Sequence, residues 1–216
     1  MAALHIDATN DGSPVALSPL VPHQTAGAGS PPARALVLGL GNRLLGDDAA
    51  GPLVVEALAE RHTPPGITAC WRDGGTLGLS LLPEIEAADA LLVVDAARFG
   101  AEPGTVRVFE GAAMDAQLGG RKRSAHELAL ADLLGAAALV DRLPPRRALV
   151  AVEPGSTAVG LALSAVVASA FAPLCEAVQR TLADWAGARP APESAAEPRN
   201  QDWRPCSREE CVDEIR

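Results

Sequence analysis

Two adjacent carboxylates, Asp47 and Asp48, follow a short apolar run and two closely spaced glycines in Ala-Leu-Val-Leu-Gly-Leu-Gly-Asn-Arg-Leu-Leu-Gly-Asp-Asp-Ala-Ala-Gly, residues 35–51. The run 35–38 suits a strand buried on both faces of a parallel sheet. Gly39 and Gly41 permit a tight turn with close backbone approach. Apolar periodicity resumes near Ala50, so the acid pair lies where a strand gives way to a helix. One of the two is expected to cap that helix, where a carboxylate accepts orphan amide protons and meets the positive end of the dipole. The second acid is more than a cap requires, and strand ends of open α/β sheets are where ligands bind.

Two further groups could join it. Asp95 ends the apolar run 90–94, and Ser124-Ala125-His126-Glu127 has the form of a capping box, which puts His126 in the first turn of a helix. Carboxyl ends of parallel strands share one edge of the sheet, so Asp48, Asp95 and His126 can converge. Two carboxylates and one imidazole would suit a borderline divalent metal such as nickel or zinc, with coordination positions left open. Taken singly, Asp95 also reads as a strand-end turn residue and His126 as an exposed first-turn residue, and spacing leaves both readings open.

The glycines do not make a dinucleotide fingerprint. Leu44 occupies the third small position of G-x-G-x-x-G, the helix starts too late, and no G-x-x-x-x-G-K-[ST] loop occurs anywhere. A nucleotide-dependent oxidoreductase is therefore opposed.

The 216 residues carry a formal charge of −9, which argues against nucleic acid or an anionic membrane as the main partner. Cys70, Cys175, Cys206 and Cys211 form no C-x-x-C pair, so reduced thiols of a cytoplasmic protein are expected. No Lys or Arg precedes Arg34, so no secretory n-region is expected. The uncharged stretch 154–175 has membrane-span length, but it is rich in Ala, Ser and Gly, contains Pro173 and is flanked by Glu153 and Glu176. It reads as a loop plus a buried helix.

Residues 1–33 and 187–216 are rich in Pro, Gly and polar residues without apolar periodicity, as in a disordered leader and a flexible acidic tail, leaving a domain over 34–186. Within it, strands alternate with helical patterns, the mark of a three-layer α/β/α fold with a mostly parallel twisted sheet. Strands are expected over 35–40, 67–72, 90–94 and 148–152, with a more alternating, antiparallel edge strand over 105–109. Helices are expected over 49–61, with Leu53, Val54, Ala57 and Leu58 inward, around Leu79 and Leu82, over 124–139, and over 164–185 with a kink at Pro173.

The segment Gly39-Leu40-Gly41-Asn42-Arg43-Leu44-Leu45-Gly46-Asp47-Asp48-Ala49-Ala50-Gly51 resembles the G-x-G-N-x-L-x-x-D-[DE]-x-x-G signature of the hydrogenase maturation proteases. The resemblance continues in order through Asp73-Gly74-Gly75-Thr76, Val93-Val94-Asp95-Ala96, Ser124-Ala125-His126-Glu127-Leu128, Val152-Glu153-Pro154 and Gly160-Leu161-Ala162-Leu163-Ser164, covering about 35–185. It implies an endopeptidase, grouped with the aspartic type, that trims the C-terminal extension of a nickel-iron hydrogenase large-subunit precursor after nickel insertion. It also implies that Asp48, Asp95 and His126 contact nickel brought by the substrate, with Asp48 or Asp95 catalytic and Gly41, Asn42, Asp73, Gly74, Gly75 and Thr76 beside the substrate. Arg121-Lys122-Arg123 could steer an acidic precursor segment, although solvated loop charge accounts for it as well. The alternative function is a non-catalytic assembly module that binds the nickel-loaded precursor through the same residues; the extra acid Asp47 argues for the enzyme.

Overall fold

The computed structural model describes residues 34–61, 63–75, 78–120 and 125–187. The leader, Thr76, residues 121–124 and the tail beyond Gly187 with Cys206 and Cys211 lie outside the described residues, as do the side chains of 125–128, His126 included.

The apolar runs become strands β1 (Arg34–Leu40), β3 (Ala90–Ala96) and β5 (Arg146–Val152), which are almost wholly buried because helices cover both faces of the sheet. With β2 (Thr68–Gly75) and β4 (Val106–Glu110) they form a sheet of order β2-β1-β3-β5-β4. All pairings are parallel except β4 on β5, which makes β4 the expected antiparallel edge.

Strand alternation divides the core. Leu36, Leu38, Leu91 and Val93 point to a layer made by α2 (Leu82–Ala87), α3 (Ala112–Leu118) and α4 (Ala125–Leu139), meeting Ile85, Met114, Leu130 and Leu133. Val37, Leu92 and Val94 point to the opposite layer, α1 (Ala50–Leu58) and α5 (Ala165–Gly187), meeting Val54, Leu58, Val167, Leu174 and Val178. The three layers are those expected.

Several details differ. A 3₁₀ turn, Gly46–Ala49, precedes α1 and delays its start, so the buried face is Ala50, Val54, Val55 and Leu58, while Ala57 is exposed. β2 runs on through Asp73, Gly74 and Gly75, because Asp73 and Gly75 still pair with Gly39 and Leu40 at the end of β1, with a register shift at Gly74. Leu79 is exposed and Leu81 and Ile85 carry the packing of that segment. The helix α3 is not evident in the sequence; seven residues with only Met114 and Leu118 buried show too little periodicity. As expected, one helix, α5, runs through Pro173. Pro173 and Ser169, whose carbonyl would have received the missing amide, are both exposed, so water can satisfy that carbonyl. Among the described residues no helix is long and apolar enough to cross a membrane, and 154–175 is a loop and the first part of α5, which buries one face only and is not the wholly buried helix expected.

Candidate active site

From β1 the chain moves outward to β2 on one side, while β3 pairs with β1 on the other. The crevice beyond the carboxyl ends of β1 and β3 is therefore the point where strand order reverses, the usual ligand site of an open α/β sheet. Asp48 and Asp95 both come to it.

Small residues let the backbone close over this crevice. A β-carbon on Gly51 would lie 2.3 Å from the Leu40 carbonyl oxygen and 2.4 Å from that of Val94, and one on Gly39 would lie 2.5 Å from the Gly51 carbonyl oxygen. The first turn of α1 thus sits directly on the ends of β1 and β3, and the preceding 3₁₀ turn, with Asp47 and Asp48, packs against β3.

Asp48 is 6% exposed, and its Oδ2 accepts the Asn42 amide at 2.8 Å. Asn42 in turn accepts the Leu44 amide on Oδ1 at 2.9 Å. Asp95 lies within β3, opposite Ala151 of β5, and is fully buried. Alternation with Leu91 and Val93 sends its side chain toward the layer of α2, α3 and α4. His126 falls in the first turn of α4, in that same layer, as its sequence position implies. Among the described residues no three His, Cys, Asp or Glu side chains are grouped to hold a metal.

The expected role of the acid pair is corrected here. Neither Asp47 nor Asp48 caps the adjacent helix: neither the 3₁₀ turn nor α1 has a side-chain cap. Asp47 instead turns to the loop between β5 and α5. Its Oδ2 accepts the amides of Gly155 and Ser156, each at 2.8 Å, and the Ser164 hydroxyl at 2.8 Å, while Oδ1 accepts the Ser164 amide at 2.6 Å. Burial opposes ionisation of Asp47, but the bonds from Ser156, Ser164 and Gly155 outweigh it and hold the carboxyl below the usual range. With all these donors on it, Asp47 is no spare acid, so it does not separate enzyme from binding module.

Asp73 stands near the end of β2, opposite Gly39 of β1, with Oδ1 on the Gly75 amide at 3.0 Å and Oδ2 accepting Arg43 at 3.0 and 3.1 Å. Gly41 and Asn42 shape the loop that carries Asp48, and Gly74 packs on Leu38, 2.6 Å from where a β-carbon would fall.

Glu153 has a role the sequence did not suggest. Buried at the end of β5, it accepts the amides of Phe99 and Ala101 on Oε2 at 2.8 and 3.1 Å, and its backbone pairs with Gly104 and Thr105. It thereby fixes the connection that follows Asp95. The signal was present: an acid directly after the apolar run 148–152, as Asp95 directly follows the apolar run 90–94.

The profile of hydrogenase maturation proteases matches residues 52–181. A hydrogenase expression/formation protein, HupD, of Rhodobacter capsulatus is 41% identical over 57% of this chain, a match spanning only 58% of that relative's length. The Escherichia coli hydrogenase 2 maturation protease is 37% identical over 69% of this chain and 90% of its own length. Among solved structures, the hydrogenase maturating endopeptidase HybD from E. coli superposes with a TM-score of 0.65 at 34% identity, covering 72% of this chain and 95% of that one. The [NiFe] hydrogenase maturation protease HybD from Thermococcus kodakarensis gives a TM-score of 0.58 at 27% identity, covering 69% and 99%. Together with the acids gathered where strand order reverses, these matches show that the chain belongs to the hydrogenase maturation protease family.

Proposed function

We propose that the chain is the endopeptidase that removes the C-terminal extension of a nickel-iron hydrogenase large-subunit precursor once nickel has been inserted. One observation carries this reading: two buried carboxylates, Asp48 in the 3₁₀ turn that packs on β3 and Asp95 near the carboxyl end of β3, occur in a chain of this family. Carboxylate oxygens with one imidazole, that of His126, are a donor set nickel accepts. The substrate's nickel would be held by Asp48, Asp95 and His126, with Gly41, Asn42 and the 73–76 segment alongside the peptide.

In this reading the nickel belongs to the substrate and places the scissile bond, which lowers the entropic part of the barrier. The chain's own contribution is an aspartic-type step. The carboxylate of Asp48 or Asp95 takes a proton from water as the water oxygen adds to the peptide carbonyl carbon. The carbon–nitrogen bond then breaks, and the proton passes to the departing amine.

The test is the intact mass of the precursor, with and without nickel, after incubation with the chain and with its Asp48→Ala and His126→Ala variants. Nickel-dependent loss of a C-terminal peptide, abolished by either substitution, is the expected result. Stable binding with no loss of mass would overturn the peptidase reading in favour of the assembly module.

A further inference from the structure

The segment that carries Asp48 has little to hold it by itself. It is a four-residue 3₁₀ turn with no side-chain cap, entered from a glycine-containing loop. Besides the Asn42 amide on the Asp48 carboxylate and packing on β3, its anchors lie more than a hundred residues away in sequence, in the connection between β5 and α5. Gly46 donates its amide to the Gly160 carbonyl at 2.9 Å, Gly160 donates to Leu44 at 2.9 Å, and Asp47 donates to Ser156 at 3.0 Å. The Asp47 carboxylate completes the set through Gly155, Ser156 and both donors of Ser164. Ser164 directly precedes α5, and its hydroxyl is also 3.5 Å from the Val167 amide. Asp47 therefore pins the Asp48 turn to the start of the longest helix.

All four groups that meet Asp47 are donors. An amide at this position would have to aim its NH₂ either at the Ser164 amide or at those of Gly155 and Ser156, donor against donor in each orientation. The site accepts a carboxylate and rejects its isostere.

We propose that Asp47 is a positioning residue of the cleavage reaction: by binding the 155–164 connection it sets where the Asp48 carboxylate stands in the crevice, and it acts through Asp48. This rests on the peptidase reading above. A group placed for proton transfer or for a substrate's metal must be held within about 0.5 Å of its productive geometry. A short uncapped turn cannot supply that precision, whereas a buried four-donor clamp can.

The test measures kcat and KM for cleavage of the nickel-loaded precursor by the full chain, with thermal unfolding in parallel. Asp47→Asn is expected to lower kcat about 100-fold at a temperature where it is fully folded, since a misplacement of about 1 Å costs that much. Ser164→Ala, which keeps the three backbone donors, is expected to lower kcat less and to leave KM near the wild-type value. A purely structural role would lower the melting temperature of both variants and leave kcat of the folded protein unchanged, and that result would overturn the proposal. Should Asp47→Asn fail to fold, Ser164→Ala decides alone by the same criterion. Absence of cleavage by the wild-type chain, in contrast, would remove the peptidase reading itself.

Discussion

Gly41 stands against Asp48 so closely that a β-carbon on it would lie 1.8 Å from the Asp48 carbonyl oxygen, in a backbone conformation with φ of +130°. Space and dihedral both demand glycine there. Gly41→Ala is expected to force the Asp48 turn off the strand ends and to destabilise the fold by about 4 kcal/mol or more, at the extreme of single substitutions. Chemical denaturation would check this, and a loss below about 1 kcal/mol would show that the loop can relax around a methyl group.

Asp48→Asn and Asp95→Asn keep side-chain shape and remove the negative charge. Under the peptidase reading the variant of whichever carboxylate is the general base lowers cleavage by at least about 100-fold. Circular dichroism of the folded variants should match that of the wild type. Full activity in either one would exclude that residue as the base.

The order of motifs along the chain made much of this site legible. Asp48 and Asp95 follow apolar runs that could only be interior strands, and parallel strands deliver their carboxyl ends to one edge. The nearest helix suggests a cap for one acid of the pair, yet neither Asp47 nor Asp48 provides one. The partners of Asp47, Gly155, Ser156 and Ser164, sit 108 to 117 residues away, and sequence spacing carries no signal of such a contact. The acid Glu153 is visible after its apolar run, but its partners Phe99 and Ala101 belong to a different connection that spacing does not reveal.

Arg43 joins three elements, reaching Glu56 of α1 at 2.6 Å and Asp73 of β2 at 3.0 Å from the loop after β1. These groups are well solvated, so Arg43→Ala is expected to cost only about 1 kcal/mol or less. The loss should shrink further in 0.5 M salt, at roughly a 4 Å screening length. Denaturation midpoints at low and high salt would check it; a salt-independent loss would mean that the arginine's stem, not its charge, matters.

Cys175 lies in the buried face of α5, and burial, the largest influence, pushes its thiol above the ordinary range despite the charge of Arg61. In the unfolded chain the thiol ionises near its ordinary value, about 8.5, whereas in the fold it ionises higher. The stability linked to the neutral thiol is fully present below that pH and is lost as pH rises from it toward the folded value. Wild-type unfolding temperature should therefore fall more steeply between pH 8 and 10 than that of Cys175→Ala. Parallel slopes would refute it.

Glu153 offers the sharpest comparison of charge with shape. Glu153→Ala leaves the Phe99 and Ala101 amides without their acceptor at the end of β5, where burial makes an unmet donor costly, about 1–3 kcal/mol for each group that water cannot reach. Glu153→Gln keeps a carbonyl oxygen that can take both amides, so it should lose much less. The connection so held begins directly after Ala96, one residue beyond Asp95. If it serves to steady that carboxylate, the Ala variant also loses cleavage at a temperature where it remains folded, while the Gln variant keeps most of it. Measuring unfolding and cleavage on both variants separates these effects: equal losses in the two would mean that the negative charge, and not the hydrogen-bonded shape, holds the connection in place.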